Sequence, residues 1–469
     1  MRIQSSPALV PLLVLSLSAL SACVDEKVVF EDPGDDQPGE VPAAAAGFIG
    51  YQTYDAKLTF CGTCHTGAQA EWLATPHGKA WAAFQASGST DAAERLRHST
   101  NQLGNVAVEA AGYASTQDKR YEDVQCEACH GPGLTHAGGP SAANEPRAPL
   151  AVGTTLNTGC GECHKGAKSP YLEEWAQSRH MTLGGQAANP SCTACHSGDG
   201  ALVAWGINSD WAERGATTGK VSITCAVCHD PHGGKNEGQL RFPVNTASLD
   251  TNLCMKCHNR RSVPDPTTQL GPHAPEGPTL LGTAGWWPAG KAKTILATHG
   301  TPEANPGLCA GCHVGSFTVG DAANPTYASK GHTFEAIPCL DASGKPVAGG
   351  DCADAERSFR SCTGAGCHGT QAVARSALAA VRARNARLIA DLSTLLGKVP
   401  RSEFVNDPTI TVGEGAAFNR ELALMDGSAA HNPFLVEQLL IASIEEVARV
   451  YGLPLPSDLS LTPAFLPGN

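Results

Sequence analysis

The sequence predicts a mainly α-helical fold with extensive irregular loops, little β-sheet and a pair of helices at its C-terminal end. Three observations predict it. Gly (51) and Pro (32) are abundant while aromatic residues make up 6% and charged residues 17%. A chain so rich in turn formers and poor in large apolar side chains has difficulty building a side-chain core. Eight clusters of two cysteines and a histidine are spread over residues 61–368, which points to bound groups that supply the missing core. The two long amphipathic stretches both follow the last cluster. At 469 residues the chain has the length of two or three ordinary domains. The net charge of -12, without any basic run, excludes nucleic acid as a partner on electrostatic grounds.

Seven clusters read Cys-x-x-Cys-His: Cys61/Cys64/His65, Cys126/Cys129/His130, Cys160/Cys163/His164, Cys192/Cys195/His196, Cys225/Cys228/His229, Cys254/Cys257/His258 and Cys309/Cys312/His313. The eighth, Cys362/Cys367/His368, carries two extra residues between its cysteines. Two thiols at the shorter spacing can add to the two vinyl groups of one porphyrin, and the adjacent histidine then lies under the iron. A zinc site or a disulfide would not require the histidine each time. The expected cofactor is therefore haem c, eight groups covalently attached. Each is a large flat apolar body, around which loops and short helices wrap. Without it the chain should be largely unfolded, as small metal-dependent domains are.

Taken in order, residues 1–23 read as a lipoprotein signal. Arg2 starts it, the apolar run Pro7–Leu20 is too short to span a bilayer, and Leu20-Ser21-Ala22-Cys23 has the form of a lipobox. Acylated Cys23 would become the mature N-terminus and a stable anchor; an ordinary cleaved signal with a stray cysteine is the other reading. Val24, not Asp, follows the cysteine, which by resemblance to enteric sorting rules points to the outer rather than the inner membrane. Residues 24–46, acidic and rich in Pro and Gly, read as a disordered tether.

Residues 47–369 form the expected octahaem region. It contains an echo: Glu71-Trp72-Leu73-Ala74-Thr75-Pro76-His77 follows the first motif, and Glu174-Trp175-Ala176-Gln177-Ser178-Arg179-His180 the third. Both read Glu-Trp-x-x-Ser/Thr-x-His, the mark of a duplicated unit. Between them, the Gly131-Pro132-Gly133 turn after His130 frees His136 to reach a different iron. Residues 98–122 carry no motif and read as an inserted loop with a short helix. His229 and His232 stand about one turn apart. Axial ligands approach an iron from opposite faces, so His232 should serve a neighbouring haem. Arg260 and Arg261 are candidates for haem propionates, since guanidinium matches carboxylate. Cys339 and Cys352 read as a disulfide, suited to an oxidising compartment. The alternative, Cys352/Cys367 at haem eight with Cys339 bonded to Cys362, is open.

Residues 370–469 hold the amphipathic segments 371–397 and 434–452. They read as two helices closing over the last haem, with His431 as its sixth ligand.

Seventeen histidines divide into eight proximal ones and nine others. His77, His136, His180, His232, His273, His299, His332 and His431 are the candidate distal ligands. His98, in the least distinctive setting, is the spare. Beyond the initiator, Met181, Met255 and Met425 are the only methionines. Methionine ligation raises haem potential, so low-potential bis-histidine haems are expected, with no catalytic residue among them.

The stretches Cys126–His136 (CEACHGPGLTH), Trp175–His180, Cys225–His232 (CAVCHDPH) and His431-Asn432-Pro433 resemble the multihaem cytochrome c family typified by cytochrome c554 and decahaem periplasmic carriers. The resemblance covers roughly residues 55–440 and implies close-stacked haem pairs that form an electron wire. The eighth motif departs from the family spacing. The expected role is an envelope electron carrier, anchored by lipid, between a membrane-side, quinol-linked donor and a terminal reductase or extracellular acceptor. Two other readings are open: an octahaem oxidoreductase acting on a nitrogen or sulfur oxyanion or hydroxylamine at one open haem, and a subunit of an extracellular cytochrome filament.

Overall fold

The computed structural model describes residues 47–104, 112–148, 159–182, 185–207, 221–268, 270–321, 325–347, 349–364, 366–405 and 408–462. The signal segment, Cys23 and the acidic tether lie outside the described residues. Helix dominates. Strand is confined, among the described residues, to three two-stranded antiparallel pieces. The longest pairs β1 (Phe317–Gly320) with β2 (Pro325–Ser329), Phe317 opposite Ser329 and Val319 opposite Tyr327.

Up to residue 369 the helices are short. Each Cys-x-x-Cys-His run makes about one helical turn, and loops join the turns. Apolar side-chain clusters here are small: Ala201, Leu202, Val221, Ala226 and Val227 form one, and Leu172 with Trp175 another. Most motif cysteines among the described residues are half-buried.

Two of the short helices carry the echoed segments: α1 (Thr66–Ala74) and α2 (Tyr171–Gln177). They make the same contacts. Trp72 Nε1 donates to the carbonyl of Val124 at 2.8 Å, and Trp175 Nε1 to that of Ile223 at 2.8 Å. Thr75 and Ser178 each turn a hydroxyl onto the tryptophan carbonyl at 2.7 Å. The amides of Val124 and Ile223 donate back to the carbonyls of His77 and His180, at 3.2 and 3.1 Å. Val124 and Ile223 each stand two residues before a motif cysteine, so a repeated unit docks on a motif in the same way twice.

The chain ends in a helical bundle. The two expected helices are present as α3 (Gln371–Leu396) and α5 (Pro433–Tyr451), and a third, α4 (Val412–Leu424), runs between them. Each start is specified locally. Thr370 Oγ1 accepts from the Val373 amide. Thr411 and Glu414 form a reciprocal capping box. Asn432 Oδ1 accepts from the Leu435 amide, ahead of Pro433 at the first helical position. Leu388, Leu392, Leu395, Ala416, Val436, Leu440, Ile444 and Val447 recur at helical spacing and bury together. Arg384 Nε donates to the buried Glu437 Oε1 at 2.8 Å across α3 and α5. The bundle is fastened to the preceding loops by two asparagines. Asn419 accepts from the Trp286 amide and donates to its carbonyl, both at 2.7 Å, and Asn432 donates to the carbonyl of Ile295 at 2.7 Å. No described helix is long and apolar enough to cross a membrane.

Candidate functional site

A Cys-x-x-Cys-His run wound into one turn puts both thiols and the imidazole on one side of the backbone. The turn closes through its own amides: those of His65, His164, His196, His229 and His258 each donate to the carbonyl of the first cysteine, as does that of His368 across its longer spacing.

The thiols are not equally enclosed. Cys64 of the first motif and Cys367 of the eighth are exposed, whereas Cys61 and Cys362, which open the same motifs, are half-buried. Cys64 ends the short turn Cys61–Thr63, and residues 63–67 around it all face solvent. In the first motif Cys61 reaches Cys126 of the second, while Cys64 faces solvent. A thioether needs a sulfur at the macrocycle edge, not a buried one, so Cys64 fits attachment at a group with one edge open to water. Cys192 of the fourth motif is buried and its companion Cys195 half-buried.

Opposite each motif histidine the fold brings a second one. The ring centres of His65 and His136 are 6.4 Å apart, those of His130 and His232 6.1 Å, and those of His164 and His77 6.1 Å. His196 faces His273 at 5.9 Å, and His229 faces His332 at 6.4 Å. His258 faces His180 at 6.4 Å, His313 faces His431 at 6.1 Å and His368 faces His299 at 6.0 Å. All eight separations match one chemistry. Two imidazoles gripping one metal ion from opposite sides each hold it at about 2 Å through a ring nitrogen, which sets the ring centres roughly 6 Å apart once the ring radii are added.

The tautomers fit the same use. His130, His229, His299, His313 and His332 donate Nδ1–H to the carbonyls of Pro146, Gly238, Ala430, Phe334 and Lys330, at 2.9, 2.6, 2.7, 2.8 and 3.0 Å. A carbonyl can only accept, so Nδ1 carries the proton and Nε2 keeps its lone pair for a metal. His258 Nδ1 meets Glu276 Oε2 at 3.2 Å, and His136 Nδ1 meets Asn144 Oδ1 at 3.2 Å. Burial pushes the imidazoles of His164, His180 and His431 down to about 4, assisted by neighbouring histidines, which keeps them neutral as ligands must be. Burial works against a charge on His258, but the hydrogen bond to Glu276, the charge of that carboxylate and the nearby cysteines together outweigh it and raise its pKa.

Two buried carboxylates shape the backbone at these pairs. Glu127, inside the second motif, accepts from the amides of Ile49, Gly50 and Gly133 at 3.0, 2.7 and 2.8 Å. It thereby holds the turn that aims His136 at His65. Glu174, fully buried in α2, accepts from the Tyr327 hydroxyl and the Lys330 amide at 3.1 Å and from the His332 amide at 2.8 Å. This fixes the strand end that carries His332. Neither role was apparent in the sequence, although Glu174 belongs to the echoed segment; its counterpart Glu71 is exposed.

His98 stands apart from the eight pairs. It caps a helix, its Nδ1 bonds the carbonyl of Glu94 at 2.6 Å, and its ring packs on Phe84. His431 lies opposite His313 of the seventh motif, not opposite the last motif as chain order suggested. His368 meets His299 instead, because the Ala430 carbonyl anchors His299 beside the start of α5. Cys339 and Cys352 are joined by a disulfide, with Cα atoms 6.1 Å apart, which leaves Cys362 and Cys367 together in the eighth motif. Arg260 is exposed and donates to the carbonyl of Ser191 at 3.1 Å.

The chain is similar to known multihaem cytochromes. The family described as cytochrome c554 and c-prime matches residues 60–131, and the family described as the doubled CXXCH motif matches residues 217–262. The multiheme cytochrome MtrA of Shewanella baltica (strain OS185) is 28% identical over 177 residues, 32% of this chain and 46% of that protein. The chain thus spans about half the length of this curated relative. Among solved structures, the undecaheme cytochrome from the S-layer of Carboxydothermus ferrireducens superposes with a TM-score of 0.50 at 19% identity, covering 89% of this chain and 71% of that one, a likeness of fold.

Proposed function

From the premise that the chain is a multihaem c-type cytochrome, we propose that it is an eight-haem electron carrier of the cell envelope in which every iron has two histidine ligands. Its relatives support electron transfer by a multihaem cytochrome. The single observation that carries two histidine ligands at every iron is the set of eight facing histidine pairs, each joining one motif histidine to one histidine from elsewhere. Haem c, when bound, supplies a one-electron iron couple whose potential follows from its axial ligands and burial. The chain's own residues do the rest. The motif cysteines would hold the groups. The paired imidazoles would supply two ligands to each iron, and the Nδ1 hydrogen bonds fix the rings of His130, His229, His299, His313 and His332. Arg260 and Arg261 are proposed to lie near propionates.

A pair of protein ligands at each iron leaves no coordination position for a substrate, which supports a carrier over an oxidoreductase. Acylated Cys23 and a tether over residues 24–46 would hold the carrier at a membrane surface, facing a quinol-linked donor on one side and a reductase or extracellular acceptor on the other. The test is low-temperature EPR on the full-length, haem-loaded protein, with haem counted by pyridine haemochromogen. Eight haems, all low-spin, are expected. A high-spin signal amounting to a whole haem overturns the reading.

A further inference from the structure

We infer that the sixth motif is a three-way junction, at which the fourth site joins a line running through sites one, two, three, five, six, seven and eight. The inference rests on the haem loading proposed above. In c-type attachment each cysteine sulfur is one carbon from the macrocycle edge, so motif sulfurs in contact bring two macrocycle edges close together.

Those contacts give an order. Cys61 and Cys126 are within hydrogen-bonding reach, linking sites one and two, and Thr59 Oγ1 lies 3.7 Å from Cys126 Sγ while it accepts from the Gly62 amide of the first motif. Cys163 is in electrostatic range of Cys129, linking three to two. Cys160 reaches Cys225, linking three to five. Tyr171 stands between the same two sites, its ring 5.6 Å from His164 and 4.9 Å from His332. The line therefore passes from the third motif to the fifth, not to the fourth.

Site six meets three neighbours through three different parts of itself. Its first cysteine, Cys254, reaches Cys309 of site seven. Its second, Cys257, reaches Cys195 of site four and lies 3.9 Å from the carbonyl of Ala194 in the same motif. Arg260 reinforces that contact through Ser191. Its facing histidine, His180, touches the Phe334 ring at 4.6 Å, and that ring lies 5.5 Å from His332 of site five. Beyond site seven, Cys312 is in electrostatic range of Cys362 and Cys367 of site eight. An electron at site six thus has three directions open to it. Site four offers a further end for exchange with a partner, besides sites one and eight.

The test is a cryo-EM map of the full-length, haem-loaded protein in which the iron positions are read directly. The irons nearest to that of site six are expected to be those of sites four, five and seven. A map placing the site-four iron nearest to any site other than six, or giving site six only two close neighbours, overturns the junction. A missing haem at site four or six overturns both the junction and the eight-haem reading. A second measurement uses the Cys254→Ala/Cys257→Ala variant, checked by intact mass to have lost one haem only. Its ferric EPR spectrum should gain the resolved signal of a magnetically isolated low-spin haem at site four. A spectrum with no newly isolated signal counts against the junction.

Discussion

Trp175 gives its indole N–H to the carbonyl of Ile223 at 2.8 Å, two residues before the fifth motif begins. Trp72 does the same to Val124 ahead of the second motif. In both places the tryptophan is nearly inaccessible, at 4% and 6% exposure, and the carbonyl of the following histidine accepts a hydrogen bond from the amide of the same residue. The motif's approach and the distal histidine's position are therefore set by one side chain. Trp175→Phe keeps the apolar body and removes the donor, leaving the Ile223 carbonyl short of a partner. A cost of about 1–3 kcal/mol follows. Thermal melts of the haem-loaded protein should show lower midpoints for Trp175→Phe and, to a similar extent, for Trp72→Phe. An unchanged midpoint in both would remove the hydrogen bond from the account.

The facing pairs predict which substitutions expose an iron. His299→Ala and His431→Ala should each convert one haem from low-spin to high-spin, at sites eight and seven respectively. His98→Ala should convert none, since that imidazole is committed to Glu94. His431→Met should instead stay low-spin and raise the potential of one haem, because a thioether ligand favours the reduced iron. Redox titration with EPR detection reads both effects. A high-spin haem in His98→Ala protein would show that the pairing is misassigned.

These pairs also mark what the sequence could and could not reveal. The proximal histidines were legible because cysteines and ligand are contiguous and the chemistry is local. Distal partners were not, since His77 meets His164 and His299 meets His368 only through tertiary packing. His431 illustrates the difference: proximity along the chain pointed to the last motif, but the Ala430 carbonyl gives that place to His299. The exposure of Cys64 was equally hidden, because identical motifs carry no sign of which side of each turn meets a neighbour. In the C-terminal bundle, the apolar periodicity of α3 and α5 was plain. Helix α4 was masked by Gly413, Gly415 and Asn419, all poor helix formers, although Thr411 and Glu414 carried the capping signal. The buried carboxylates were hidden for a different reason. Glu127 and Glu174 satisfy backbone amides distant in sequence, and no local pattern announces such a partner.

Loss of the Cys339–Cys352 disulfide should weaken the loop without touching the haem sites. The bond closes a segment of sequence separation 13, and restraint of a loop of that size contributes about 3 kcal/mol in the chain-entropy account. Cys339→Ser/Cys352→Ser protein should retain its full haem count by intact mass while residues 339–352 become susceptible to limited proteolysis. A lost haem in this variant would mean that one of the two cysteines serves the eighth motif.

Gly415 sets the fit between α4 and the loop before it. A Cβ at this position would lie 2.2 Å from the Trp286 ring. The ring cannot slide aside freely, because Asn419 holds both the amide and the carbonyl of Trp286. Alanine improves helix propensity by about 1 kcal/mol over glycine, whereas overpacking costs roughly 1–3 kcal/mol. The clash should win, so Gly415→Ala is expected to lower stability by about 1–2 kcal/mol. Gly67 in α1 offers the opposite sign. A Cβ there meets nothing within 4 Å, so Gly67→Ala should gain up to about 1 kcal/mol. Denaturation midpoints of the two haem-loaded variants, compared with the parent, should therefore move in opposite directions. A stabilised Gly415→Ala protein would show that Trp286 is not held against α4 as described.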